Sequence, residues 1–135
     1  MGEELKISAD VANLDQVLEF VETRLEAHDA SMKSITQISI AVEEIYVNIA
    51  HYAYGDSTGD ATIQVSFDDR VFVITFIDTG MPYDPLAKPD PDITLSVEER
   101  EIGGLGIYMV KKSMDDVIYK RDGDRNVLTL KKSID

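Results

Sequence analysis

The chain contains no cysteine, which excludes disulfide staples, thiolate metal sites and a cysteine nucleophile. Histidine is almost as scarce. His28 and His51 are the only two and cannot build a multi-histidine metal centre. Basic residues are few: 13 Lys and Arg stand against 26 Asp and Glu, a net charge of −13 at pH 7. Such a surface repels phosphate backbones and anionic lipid, so neither nucleic acid nor a membrane surface is expected as a partner. A basic or neutral protein partner is compatible with it. Long apolar runs are missing too. Val71 to Ile77 is the longest, far short of the roughly 20 residues that span a bilayer. The acidic start MGEELK has neither the basic nor the apolar region of a signal peptide, so a cytoplasmic protein is expected.

What the sequence does have is a core. Apolar residues make up 44% of its 135 positions, too many for a disordered acidic chain and enough for one domain over 1–135. Glu4 to Ser8 alternates and reads as a first strand. Asn13 is placed to cap a helix whose apolar face is Leu14, Val17, Leu18, Val21 and Leu25. Ser31 or Ser34 opens a second helix striped by Ile35, Ile38, Val42, Ile45 and Ile49, ending near Tyr54-Gly55. Ala61 to Phe67 and Val71 to Ile77 read as a hairpin about Asp68-Asp69-Arg70. A helix carrying Ile107, Met109, Val110 and Met114 on an expected core stripe follows Gly103-Gly104-Leu105-Gly106. Asp116 to Lys120 and Arg125 to Lys131 pair around an Asp122-Gly123-Asp124 turn. Between Asp78 and Gly104 lies a long irregular stretch that holds all four prolines. The order predicts an α+β two-layer sandwich: a mixed, mostly antiparallel sheet with helices on one face.

Three short patterns carry possible chemistry. Glu44 and Asn48, in AVEEIYVNIAHYAYG, are spaced i, i+4 and share a helical face bordering the buried stripe. They read either as a solvated polar face or as a base and a hard-metal ligand lining a cleft. Asp78, in DTGMPYDP, ends an apolar strand, where a carboxylate can accept a hydrogen bond from an amine. Gly80 beside it permits close approach to the backbone. An ordinary Asp/Gly/Pro loop would look the same. Gly103, Gly104 and Gly106 open a helix, where exposed backbone N–H groups favour anions. They also suit a tight turn. The run is neither a Walker A loop nor a dinucleotide fingerprint.

The order of these patterns resembles the GHKL ATPases, whose domain is the Bergerat ATP-binding fold. Within them AVEEIYVNIAHYAYG, DTGMPYDP and GGLGIYMVKKSMDDVIYKRDGDRNVLTLKK are similar to the anti-sigma factor serine/threonine-protein kinase family. The likeness runs from the first strand to Lys132. It implies ATP and Mg²⁺ as cofactors, with Glu44 as the general base and Asn48 as the Mg²⁺ ligand. It implies Asp78 and Gly80 at adenine, Gly104 and Gly106 presenting backbone amides to the phosphates with Gly103 shaping the loop, and Arg100 reaching the terminal phosphate. An ATP lid would span about 85–102. Thr129 matches the threonine that such proteins place near adenine. The Glu-x3-Asn spacing selects Glu44 over Glu43. Glu101-Ile102 separates Arg100 from the glycines, and Tyr83 stands where phenylalanine is common.

The implied activity is transfer of phosphate from ATP to serine or threonine on a small antagonist protein, with sequestration of a sigma factor and homodimerisation. A non-catalytic module that binds ATP or ADP and controls a protein partner is the alternative. A histidine-kinase catalytic domain is a third, disfavoured because neither histidine lies in a phosphoacceptor helix hairpin. His51, Tyr46, Tyr52 and Tyr54 are expected to pack at the helix end or in the core.

Overall fold

The computed structural model describes residues 2–54, 57–87 and 104–134. Five strands form one sheet in the order β1-β2-β3-β5-β4. They are β1 (Glu3–Ser8), β2 (Asp60–Asp68), β3 (Val71–Asp78), β4 (Asp116–Asp122) and β5 (Arg125–Ser133). Every pairing between neighbours is antiparallel, so the mixed sheet expected from the sequence is antiparallel throughout the described residues.

Period-two alternation decides which side of the sheet is covered. Ala61, Ile63, Val65, Phe72, Ile74, Phe76, Leu128 and Leu130 are buried on one face. Their partners in register reinforce this: Ile63 lies opposite Phe76, Ile74 opposite Leu130, and Phe76 opposite Leu128. The residues between them, among them Thr62, Thr75 and Thr129, face the other side and are only half-buried. Among the described residues three helices pack on the apolar face: α1 (Leu14–Ala27), α2 (Met32–Tyr52) and α3 (Gly104–Ser113). Each turns a stripe inward, with Val17, Val21 and Leu25 from α1, and Ile38, Ala41, Val42 and Ile45 from α2. Ile107, Val110 and Met114 do so from α3. Met109 does not join them. It is 53% exposed, against the expectation of a core position, because it lies on the side of α3 away from the sheet.

The helix starts differ in detail from the sequence reading. Asn13 makes no side-chain cap on α1. Instead a single 3-10 turn, Val11–Asn13, precedes the helix and is capped by Asp10, whose carboxylate accepts from the Ala12 amide. Asn13 turns back and donates to the Ser8 carbonyl. Ser31 caps α2 as its composition suggests, accepting from the Ser34 amide at 3.1 Å. Tyr46 is fully buried, and its hydroxyl bonds the Ser8 and Asp10 carbonyls at 3.0 and 2.7 Å. That bond ties the β1–α1 connection to the helix carrying Glu44 and Asn48, which fixes the rotation of α2 over the sheet.

Candidate functional site

Where the middle of α2 passes the ends of β3 and β5, the sandwich is not filled. A cleft encloses about 410 Å³ of empty space, part of it open to solvent. Ile45, Ile49, Phe76 and Leu128 give it apolar walls, and Asn48, Asp78 and Asn126 bring polar atoms to it.

Asp78 is 5% exposed. Its Oδ1 accepts from the Gly80 amide and from Asn126 Nδ2, both at 2.9 Å. A buried carboxylate needs such partners. Both fall on one oxygen, which leaves Oδ2 to accept from a group inside the cleft. Asn126 lies directly opposite Asp78 in the β3–β5 register. Its amide nitrogen also donates to the Met81 carbonyl at 2.9 Å, and its Oδ1 accepts from Tyr119 Oη at 2.5 Å and Arg121 Nη1 at 3.2 Å. Arg121 Nη1 further donates to the Gly80 carbonyl at 2.9 Å. The loop after β3 is thus strapped to the β4–β5 hairpin around a single carboxylate.

Gly80 packs against the C-terminal end of α2. A Cβ there would lie 2.0 Å from the Ala53 carbonyl oxygen, so its bareness makes room for the C-terminal end of α2. The Met81 amide bonds that same carbonyl at 2.8 Å. The glycine therefore locks the loop to the helix, and it meets protein backbone at its Cα.

Thr129 is not brought to this site. Its strand alternates Leu128 and Leu130 inward, so Thr129 points to the opposite face of the sheet. There its hydroxyl lies 3.3 Å from that of Thr75. Asn126 is the β5 residue that reaches Asp78. The signal was in the sequence, because Asn126, Leu128 and Leu130 share one parity on the strand.

Glu44 and Asn48 lie one turn apart on α2, as their spacing requires. Asn48 lines the cleft, and its Nδ2 is buried with no hydrogen-bond partner among the described residues. The Glu44 carboxylate projects past it to the start of α3. A Cβ on Gly106 would lie 1.9 Å from Glu44 Oε1, so only glycine lets the carboxylate rest there. Burial pushes the Glu44 pKa above its usual value of 4.5, and the charge of Glu43 adds to this. The Asn48 amide works against both without completing a hydrogen bond. Gly104 is the first residue of α3. Arg100, Gly103 and residues 88–102 of the expected lid lie outside the described residues. Pro85–Ala87 forms a short 3-10 turn, with Pro85 against the cleft.

These features fit an adenine nucleotide with a divalent ion. A buried carboxylate with one oxygen uncommitted suits an exocyclic amine. The orphaned Asn48 Nδ2 is a donor, so an acceptor such as a phosphate oxygen would complete its hydrogen bonding. Among the described residues no three His, Cys, Asp or Glu side chains converge on a metal position. An ion here would draw on Asn48 and on ligand oxygens, as Mg²⁺ commonly does. Tyr52 and Tyr83 stack at the rim with ring centroids 5.9 Å apart, and His51 meets Tyr52 edge-on at the end of α2. Among the described residues no helix is long and apolar enough to cross a membrane.

Comparison with known proteins places this geometry. The profile of the histidine kinase-like ATPase domain matches residues 7–132. The serine-protein kinase RsbW of Bacillus cereus strain B4264 is 32% identical over 102 residues, which cover 72% of this chain and 63% of the relative. The serine-protein kinase RsbW of Bacillus anthracis strain CDC 684 / NRRL 3495 is 31% identical over 101 residues, with the same coverage of 72% and 63%. The match thus spans less than two thirds of these relatives' length. Among solved structures, the RsbU and RsbW domains of Rv1364c from Mycobacterium tuberculosis superpose with a TM-score of 0.69 at 16% identity, over 98% of this chain and 32% of that one. The blue-light activated histidine kinase EL346 of Erythrobacter litoralis gives a TM-score of 0.59 at 15% identity, over 78% of this chain and 32% of that one. At those identities the two structures speak for the fold.

Proposed function

Because this chain belongs to the histidine kinase-like ATPase domain family, we propose that it is an ATP-dependent protein serine/threonine kinase and anti-sigma factor. It phosphorylates a small antagonist protein and sequesters a sigma factor when that antagonist is absent. Bound ATP supplies the phosphoryl group, with Mg²⁺ neutralising its charge. The observation that carries the reading is the Glu44 carboxylate resting over Gly106 in the first turn of α3, one helical turn from the unpaired Asn48 amide. A pure binding module has no use for a half-buried, proton-avid carboxylate at that place.

In this reading Asp78 accepts a hydrogen bond from the adenine amino group, and the Asn126 amide holds its carboxylate in line. Guanine presents a carbonyl instead and would leave Asp78 facing another acceptor. A bound ion would be held by Asn48 through its side-chain oxygen. Gly104 and Gly106 leave backbone N–H groups of the first turn of α3 open to phosphate oxygens. Glu44 takes the proton from the incoming serine or threonine hydroxyl as the hydroxyl oxygen bonds to the γ-phosphorus. The β–γ bridging bond breaks and ADP leaves. The names of the Bacillus relatives support the serine kinase activity. Sigma factor, antagonist and a second copy of the chain are the proposed partners.

Two measurements test this. Incubation with ATP, Mg²⁺ and each antagonist-like protein of the same genome, followed by intact mass, should show a phosphate-sized gain on one of them. A chain that binds ATP but adds phosphate to none is the non-catalytic ATP/ADP-binding module instead. Thermal shift should show ATP or ADP stabilising the protein far more than GTP, and equal shifts would remove Asp78 from the adenine site.

A further inference from the structure

A second concavity lies on the other side of Glu44. It runs between α2 and α3 and encloses about 830 Å³ of empty space, part of it open to solvent. Ile40, Ala41 and Glu44 form one wall, and Gly106, Met109 and Val110 the other. Two large apolar side chains stand out of it, Ile40 at 61% and Met109 at 53% exposed. Apolar side chains gathered along one groove mark an interaction site more often than scattered ones do. Methionine in particular adapts to varied partners.

The position of Glu44 says what the groove receives. Asn48 belongs to the nucleotide cleft and Glu44 to the groove, so the two concavities meet at adjacent turns of α2. A phosphoryl group presented from the cleft and a hydroxyl presented along the groove would converge at the Glu44 carboxylate. We propose that this groove seats the serine- or threonine-bearing segment of the phosphoacceptor protein, with Ile40 and Met109 gripping an apolar side chain beside the hydroxyl. The proposal rests on the kinase reading above. Charge narrows the occupant further. Exposed Glu43 beside the groove and the net charge of −13 favour a neutral or basic segment over an acidic one.

Helix geometry sets the spacing. Ile40 and Glu44 are about 6 Å apart along the α2 axis at 1.5 Å per residue. An extended segment covers that distance in about two residues. The gripped apolar side chain therefore lies two or three residues from the modified hydroxyl.

The test uses the full chain as wild type, as the double variant Ile40→Ser with Met109→Ser, and as Glu44→Gln. The probes are the purified antagonist-like proteins of the same genome, measured by biolayer interferometry with ATP and Mg²⁺ and by phosphate incorporation. Both serine substitutions fall on exposed positions, so melting temperature and ATP affinity should match wild type. Capture of the phosphoacceptor should weaken at least tenfold, with a matching rise in KM and little change in kcat. Glu44→Gln should capture it normally and transfer phosphate roughly 10²–10⁴-fold more slowly. Unchanged KM with phosphate still transferred overturns the groove and leaves the kinase reading intact. Capture that depends on Ile40 and Met109 without any phosphate transfer keeps the groove and overturns the kinase reading. Capture of none of the probes by wild type overturns the groove. So does a double variant that merely changes from dimer to monomer on sizing, which would make a second copy the occupant.

Discussion

The surroundings of Asp78, in the cleft, and of Glu44, one turn from Asn48 at its edge, are built on opposite plans. Around Asp78 every hydrogen-bonding atom of Asn126 is engaged, and four side chains or loop amides converge on that pair. Around Glu44 the groups are left short. The Asn48 amide nitrogen has no partner among the described residues, and the carboxylate is partly desolvated with little to hold it. The surroundings of Asp78 are satisfied by the protein alone. The surroundings of Glu44 are not, and incompletely satisfied groups with shifted proton affinities are common at catalytic sites. Incomplete hydrogen bonding there costs stability that the surroundings of Asp78 do not lose.

That contrast is sharpest if each is broken in turn. Glu44→Gln keeps the shape and removes the basicity, so phosphate transfer should fall by roughly the 10²–10⁴-fold typical of a lost general base. ATP binding by calorimetry should survive. Asn48→Ala should instead weaken Mg²⁺-dependent ATP binding and lose transfer along with it. If Glu44→Gln loses ATP binding as badly as Asn48→Ala, the carboxylate belongs to the metal shell and its surroundings serve binding as well.

Around Asp78 the larger effect is on the fold. Asn126→Ala strips one of two donors from a buried carboxylate, and the Tyr119 hydroxyl and Arg121 lose their shared acceptor. Leaving such groups unpaired costs about 3 kcal/mol. Urea unfolding should show that loss, and a Asn126→Ala variant of unchanged midpoint would mean the network is ornamental.

The two close-approach glycines give a smaller but cleaner comparison. Both are crowded, with a Cβ 2.0 Å from backbone at Gly80 and 1.9 Å from a side-chain tip at Gly106. Backbone cannot step aside, whereas the end of a glutamate can. Gly80→Ala should therefore destabilise by about 2–3 kcal/mol, the usual scale of overpacking. Gly106→Ala should leave the melting temperature almost unchanged and displace Glu44, so transfer drops while folding persists. Equal melting losses for both would show that Glu44 is as fixed as the chain itself.

Most of the layer architecture was legible because it rests on periodicity. The alternation of β2, β3 and β5 and the three- and four-residue stripes of α1 and α2 each point to one buried face. Register is where local reading failed. Thr129 matches a family position, yet the parity set by Leu128 and Leu130 turns it outward and puts Asn126 inward. Helical spacing places Met109 on the core stripe, but α3 is covered on one side only and Met109 falls beyond that cover. The packing of Gly80 against the end of α2 is equally invisible in composition. The groove beyond Glu44 depends on how far α2 stands from α3, a distance no residue pattern encodes.

The smallest expected effect follows from the raised pKa of Glu44 and reverses the usual carboxylate behaviour. A carboxylate paired in the folded state has a lowered pKa and stabilises the protein once ionised. Here burial comes first among the causes, so the folded protein holds the proton more tightly than the unfolded chain, whose value is 4.5. The contribution of Glu44 is then fully favourable only below pH 4.5, and it is lost as pH rises from there through the raised folded value. At neutral pH the ionised carboxylate costs stability. Glu44→Gln, which cannot ionise, should melt slightly higher than wild type at pH 7, and the gap should close as pH falls toward 4.5. Because the group is partly exposed, solvent screening keeps the gap small. Transfer by the wild type should fall over the same window as the base becomes protonated. A Glu44→Gln variant that melts below wild type at pH 7 would mean the ionised carboxylate is held by favourable contacts. The surroundings of Glu44 would then be as completely satisfied as those of Asp78.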